Sequence, residues 1–129
     1  MKEAYCSLEV AKLLKEKGFD EPCSKFYKFG SDELFKGTTL CNSQLKGAEI
    51  YNACTHQMAC AWLREVHNKY CDVGYDIDLK WFFQIIDLKE TVEYDYPETK
   101  YYHAENSTEF NSYEEAVEAA IKYCLENLI

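Results

Sequence analysis

Two prolines in 129 residues, and no low-complexity tract, leave little that reads as linker or disordered segment. No apolar run approaches the roughly 18 residues that a membrane span requires. The opening MKEAYCSLEVAKLLKEK interrupts its apolar residues with charge every few positions, unlike a signal sequence. C-x-x-C pairs are also missing, and seven cysteines (positions 6, 23, 41, 54, 60, 71 and 124) cannot all close into intrachain bridges. The expectation is seven reduced thiols in a cytoplasmic protein that meets no membrane. Cys60 and Cys124 fall on or beside apolar helical faces, where a free cysteine acts as a small hydrophobe. Basic residues are scarce in one region only. Residues 71–129 carry four Lys against fourteen Asp/Glu, a balance of −10, whereas residues 1–30 stand at +1 and 31–70 at 0. A field of that sign repels nucleic-acid phosphates and favours basic partners.

What is present is the composition of a folded protein, 47% apolar and 16% aromatic. A chain of this length is expected to form one domain over 1–129, burying roughly two thirds of its unfolded surface. Three helices carry start signals. The first, about 8–17, has Ser7 as cap, Val10, Ala11 and Leu14 as a buried stripe, and Gly18 as its end, with Phe19 folding back. The second, about 56–70, follows Thr55 and gathers Ala59, Trp62, Leu63, Val66 and Tyr70 in one apolar arc, with Arg64 and Glu65 outside it. The third, about 113–127, has Ser112 and Glu115 spaced as a capping box, with Ala116, Val117, Ala120, Ile121, Cys124 and Leu128 at helical spacing. Glu114, Glu115 and Glu118 suit the positive end of its macrodipole.

Between the helices the period changes to two. In LKWFFQIID, Leu79, Trp81, Phe83 and Ile85 alternate with Lys80, Phe82, Gln84 and Ile86, so both faces are largely apolar, as in a central strand. TVEYDY then alternates Val92, Tyr94 and Tyr96 with Glu93 and Asp95, which predicts an antiparallel hairpin. Shorter strands are expected at 25–29, 47–51 and 99–103, and residues 30–47 read as turns around one short edge strand. The order α-β-α-β-β-(β)-α predicts an α+β domain, three helices packed on an antiparallel sheet.

Candidate chemistry is sparse. His56 and Cys60 have the four-residue spacing of a helical metal-ligand pair. His67 lies about 16 Å along the axis from His56, too far to share an ion, and structural zinc takes four ligands. Asp87, Glu98 and Lys100 match the Asp…Glu-x-Lys pattern of metal-dependent nucleases, in which carboxylates hold Mg²⁺ and the lysine stabilises charge, but no basic surface accompanies them. Asp72, Asp76 and Asp78 lack the glycine turn and closing glutamate of a calcium hand. Gly37-Thr38-Thr39 lacks the lysine of a phosphate-binding loop. No cofactor is implied. The aromatics Tyr94, Tyr96, Tyr101, Tyr102, Phe110 and Tyr113 crowd among acids; they suit core packing with a tyrosine rim, or a surface for a basic protein. The surrounding acids disfavour base stacking on a nucleic-acid strand.

Three segments, SLEVAKLLKEKGFDEPC (7–23), THQMACAWLREVHN (55–68) and SYEEAVEAAIKYCLENLI (112–129), together resemble a group of small proteins from phages and integrated mobile elements of gut bacteria. The resemblance covers about half the chain and all three helices. It implies an intracellular accessory protein of a mobile element, and it assigns no catalytic residue. The expectation is therefore a non-enzymatic protein-binding module, with Tyr94, Asp95, Tyr96, Glu98, Tyr101 and Tyr102 on the surface that meets a basic protein. One alternative is a mimic of DNA charge that occupies the basic groove of a nucleic-acid-binding protein. The other is a nuclease built on Asp87, Glu98 and Lys100.

Overall fold

A computed structural model of the chain describes residues 3–37, 40–76, 80–88 and 109–129, and the backbone alone of 100–102. Within them lie three α-helices and six short strands, the α+β class that the sequence predicts. The chain divides into two compact units, Met1–Ala59 and Cys60–Ile129. Each holds its own three-stranded antiparallel sheet, so the strands are shared between two sheets instead of gathering in one.

In the first unit, helix α1 (Leu8–Glu16) is capped by Ser7, whose hydroxyl accepts from the Val10 amide, and it buries Val10, Ala11 and Leu14. Its C-terminus is a double wrap. The amide of Gly18 (φ +96°) donates to Lys15 and that of Phe19 to Leu14, so the left-handed glycine closes the helix while Phe19 turns back into the core beside Leu14. Strands β1 (Lys25–Lys28), β2 (Phe35–Lys36) and β3 (Ile50–Asn52) form a sheet in the order β2-β1-β3, and α1 packs on β3. The short edge strand expected in 30–47 is β2. Two buried asparagines tie the β2–β3 connection down. The Asn42 amide donates to Phe19 O and accepts from Asn52 N–H, while the Asn52 amide donates to Leu40 O. Buried polar groups of this kind are costly unless paired, and these are paired.

Helix α2 (His56–His67) starts on Thr55, whose hydroxyl accepts from Met58 N–H, as the sequence suggests. The boundary between the units falls within it. It ends three residues earlier than the apolar wheel predicts. Asn68 adopts φ +56°, a left-handed conformation that asparagine tolerates, and the chain passes directly into strand β4 (Lys69–Tyr75). Tyr70 therefore belongs to a strand, and Val66 is 57% exposed and outside the core. The wheel went too far because a tyrosine four residues beyond a valine fits either period.

In the second unit, β4 pairs along its whole length with β5 (Trp81–Asp87), from Lys69↔Asp87 to Tyr75↔Trp81. β5 is the central strand, as its two apolar faces require. Its other edge takes β6 (Lys100–Tyr102) at one end and Phe110, in a two-bond bridge with Trp81, at the other. The partner strand expected at 92–96 lies outside the described residues. Helix α3 (Tyr113–Asn127) packs on β4 and β5 and buries Ala116, Val117, Ala120, Ile121, Cys124 and Leu125. Ser112 caps it by accepting from Glu115 N–H. The return bond of the box is displaced by one residue: the Glu115 carboxylate accepts from Asn111 N–H, 3.1 Å away.

A candidate protein-binding surface

The hairpin register decides which aromatics meet. Tyr75 and Trp81 are the last cross-strand pair of β4 and β5, with ring centroids 4.9 Å apart. The Trp81–Phe110 bridge then brings the start of α3 alongside, and Tyr113 meets the Trp81 ring edge-to-face at 5.5 Å. Tyr75 is 52% exposed, Tyr113 50%, and Trp81 is half-buried between them. Beneath this row the ring of Phe83 is buried against Phe110 and Tyr123, at 5.8 and 5.9 Å. The open rings thus rest on a packed aromatic layer and hold fixed orientations. Asp76, Glu109 and Glu114 are their sequence neighbours, and the last two are exposed. The nearby Lys80 ammonium is engaged by Asn111 Oδ1 at 3.0 Å. Rigid, amphipathic rings bordered by carboxylates are the composition of a protein-recognition patch, since ordering them on binding costs little side-chain entropy.

The residues singled out in the sequence fall as follows. Tyr94, Asp95, Tyr96 and Glu98 lie outside the described residues. Tyr101 and Tyr102 are on β6, in register with Ile86 and Ile85. Asp87 and Lys100 are brought together as cross-strand partners, but the Asp87 carboxylate, in a residue only 8% exposed, is held by the Lys69 ammonium at 2.7 Å. This is the arrangement of a buried ion pair. Asp72 accepts from the Gln84 amide across the hairpin at 2.7 Å, a strand-face contact. His56 opens α2 and donates its backbone N–H to Ala4 O, while the Cys60 thiol is directed at Cys71 of β4.

The first unit has a shallow cleft of about 310 Å³ lined by Lys15, Asp20, Asn42, Ser43 and Lys46 among others. Its lysine is not available to an anion. Lys15 Nζ donates to the carbonyls of Leu45, Ala48 and Ile50 at 2.8, 3.1 and 2.8 Å, three acceptors for three N–H groups, and burial holds its pKa below the usual lysine range.

Sequence reasoning put Trp81 on a strand face and Tyr113 in an aromatic crowd, and missed Tyr75. The pair is legible only once β4 is recognised as a strand, because six residues of separation become adjacency through the hairpin. Comparison with protein-family models, with curated proteins and with solved structures finds no match for the chain.

Proposed function

We propose that the chain is a non-enzymatic binding module whose second unit receives a basic protein segment on Tyr75, Trp81 and Tyr113. The observation that carries this reading is the open aromatic row, seated on a buried layer and flanked by Asp76, Glu109 and Glu114. The charge balance of −10 over residues 71–129 supports a partner rich in Lys or Arg, whose side chains stack on aromatic faces as well as pairing with carboxylates. The expected acidic, tyrosine-rich surface of Tyr94, Asp95, Tyr96, Glu98, Tyr101 and Tyr102 belongs to the same unit and is part of this proposal. So is the setting implied by the resemblance, an accessory protein of a phage or mobile element acting inside the cell.

The test is an NMR titration of the full chain with a panel of Lys/Arg-rich peptides and neutral scrambled controls. Shifts should centre on the Trp81 indole and the backbone of Tyr75 and Tyr113, and affinity should fall steeply between low and high salt. The double variant Tyr75→Ala/Tyr113→Ala should weaken binding at least tenfold. Binding that is unchanged in that variant, or shifts located elsewhere, would sink the reading.

A further inference from the structure

We propose that Cys60, Cys71 and Cys124 form a thiolate site for a soft monovalent cation of the Cu(I) class. The three cysteines come from three elements of the second unit, α2, β4 and α3, and their contacts run in sequence. Cys71 Sγ lies 3.9 Å from Cys124 Sγ, and the Cys60 thiol hydrogen-bonds to Cys71 from the other side. With metal–sulfur bonds of about 2.3 Å, two sulfurs 3.9 Å apart subtend an angle of about 115° at a shared ion. That is close to the 120° of trigonal coordination, so Cys71 and Cys124 already stand as two ligands of one ion, and a turn of the Cys60 side chain completes the set.

The donor set selects the ion. Thiolates favour Cu(I) and Zn(II), but structural zinc is held by four ligands and three sulfurs suit the lower coordination number of a monovalent ion. Access is also built in: Cys124 is fully buried, whereas Cys60 and Cys71 are partly open. Binding replaces S–H protons by the cation, and the protons leave to solvent. Sulfur–sulfur hydrogen bonding and burial push the Cys60 and Cys71 thiols up, well above the ordinary thiol range, so neither is poised as a free thiolate for disulfide chemistry. Arg64, one helical turn beyond Cys60, acts on both thiols in the opposite direction and supplies positive charge against a metal–thiolate group that carries excess negative charge. The first unit provides an internal control. Cys6 and Cys54 approach to 3.7 Å, but both are fully buried and only two sulfurs meet there.

The experiment uses the full-length reduced chain under anaerobic conditions, titrated with Cu(I) against a competing chelator and with Ag(I) as a redox-inert probe. Native mass spectrometry should show one ion per chain, with an ultraviolet thiolate-to-metal band that saturates at the same ratio. Without any substitution, bound ion should protect Cys60 and Cys71 from alkylation, as read by peptide mapping, while Cys41 keeps its reactivity. Cys71→Ser should weaken binding at least 100-fold with unchanged far-ultraviolet circular dichroism, and Cys6→Ser/Cys54→Ser should leave binding intact. Protection located on Cys23 or Cys41, undiminished binding in Cys71→Ser, or the absence of any bound ion at micromolar Cu(I) overturns the proposal.

Discussion

The two units solve the same architectural problem with opposite charge. Each is a three-stranded antiparallel sheet with a helix packed on it, α1 on β3 in one and α3 on β4 and β5 in the other. Residues 1–59 carry eight Lys against eight Asp/Glu, whereas residues 60–129 carry six Lys/Arg against fifteen Asp/Glu, so the whole net charge of −9 belongs to the second. Their aromatic rings differ accordingly. In the first unit lysines lie over them: Lys15 over Tyr51 at 5.0 Å, Lys25 over Tyr5 at 4.4 Å and Lys28 over Phe35 at 4.5 Å. In the second, rings stack on rings and the outermost remain open. A ring already covered by a cation has its π-face satisfied; an uncovered ring among carboxylates has that face to offer. This difference is why the binding surface is placed in the second unit.

Two buried or half-buried lysines allow the contrast to be tested. The largest effect is expected at Lys69. Replacing it by Met removes the cation from a buried carboxylate, which costs about 3–5 kcal/mol, whereas Lys69→Met/Asp87→Leu should recover most of that loss in urea unfolding. A single variant as stable as the unmodified chain would mean that the pair is not what holds Asp87. The first unit's counterpart is Lys15, whose partners are neutral carbonyls. Lys15→Met leaves three acceptors that water can partly reach, and a smaller loss of about 2 kcal/mol is expected by the same measurement. If the two lysines ranked in reverse, the distinction between a charge-paired unit and a dipole-paired one would fail. The smallest effect has the opposite sign. Phe29 sits at φ +55° in a tight turn with Gly30, 72% exposed, a backbone conformation that bulky side chains rarely adopt. Phe29→Asn should raise stability by about 0.5–1 kcal/mol. A loss there would show that the Phe29 ring contributes more to the turn than its exposure suggests.

Much of the fold was legible because local signals and tertiary demands agree. Ser7 and Ser112 cap the helices they were expected to cap, and Gly18 ends the first. The doubly apolar run from Trp81 becomes the central strand. What escaped was set by single residues or by pairing. Asn68 converts helix to strand in one step, which an apolar wheel cannot register, and so β4 was absorbed into α2. Without β4 there was no second hairpin strand, no Tyr75 beside Trp81, and no Cys71 between Cys60 and Cys124. The displaced bond from Glu115 to Asn111 was invisible for another reason: the spacing of a capping box fixes the residues but not which amide the carboxylate chooses.

The corner at Asn68 has a consequence for how this chain can vary. Lys69, Cys71, Val73 and Tyr75 alternate along β4, so they share one face, and through it Lys69 reaches Asp87, Cys71 reaches Cys124 and Tyr75 reaches Trp81. With no loop between helix and strand to absorb an extra residue, an insertion at this corner would invert the parity of the strand and turn all four side chains to the opposite side. An ion pair, a thiol cluster and an aromatic row would be lost together through a change that altered none of their residues. Insertions and deletions should therefore be excluded from this corner far more strictly than substitutions are.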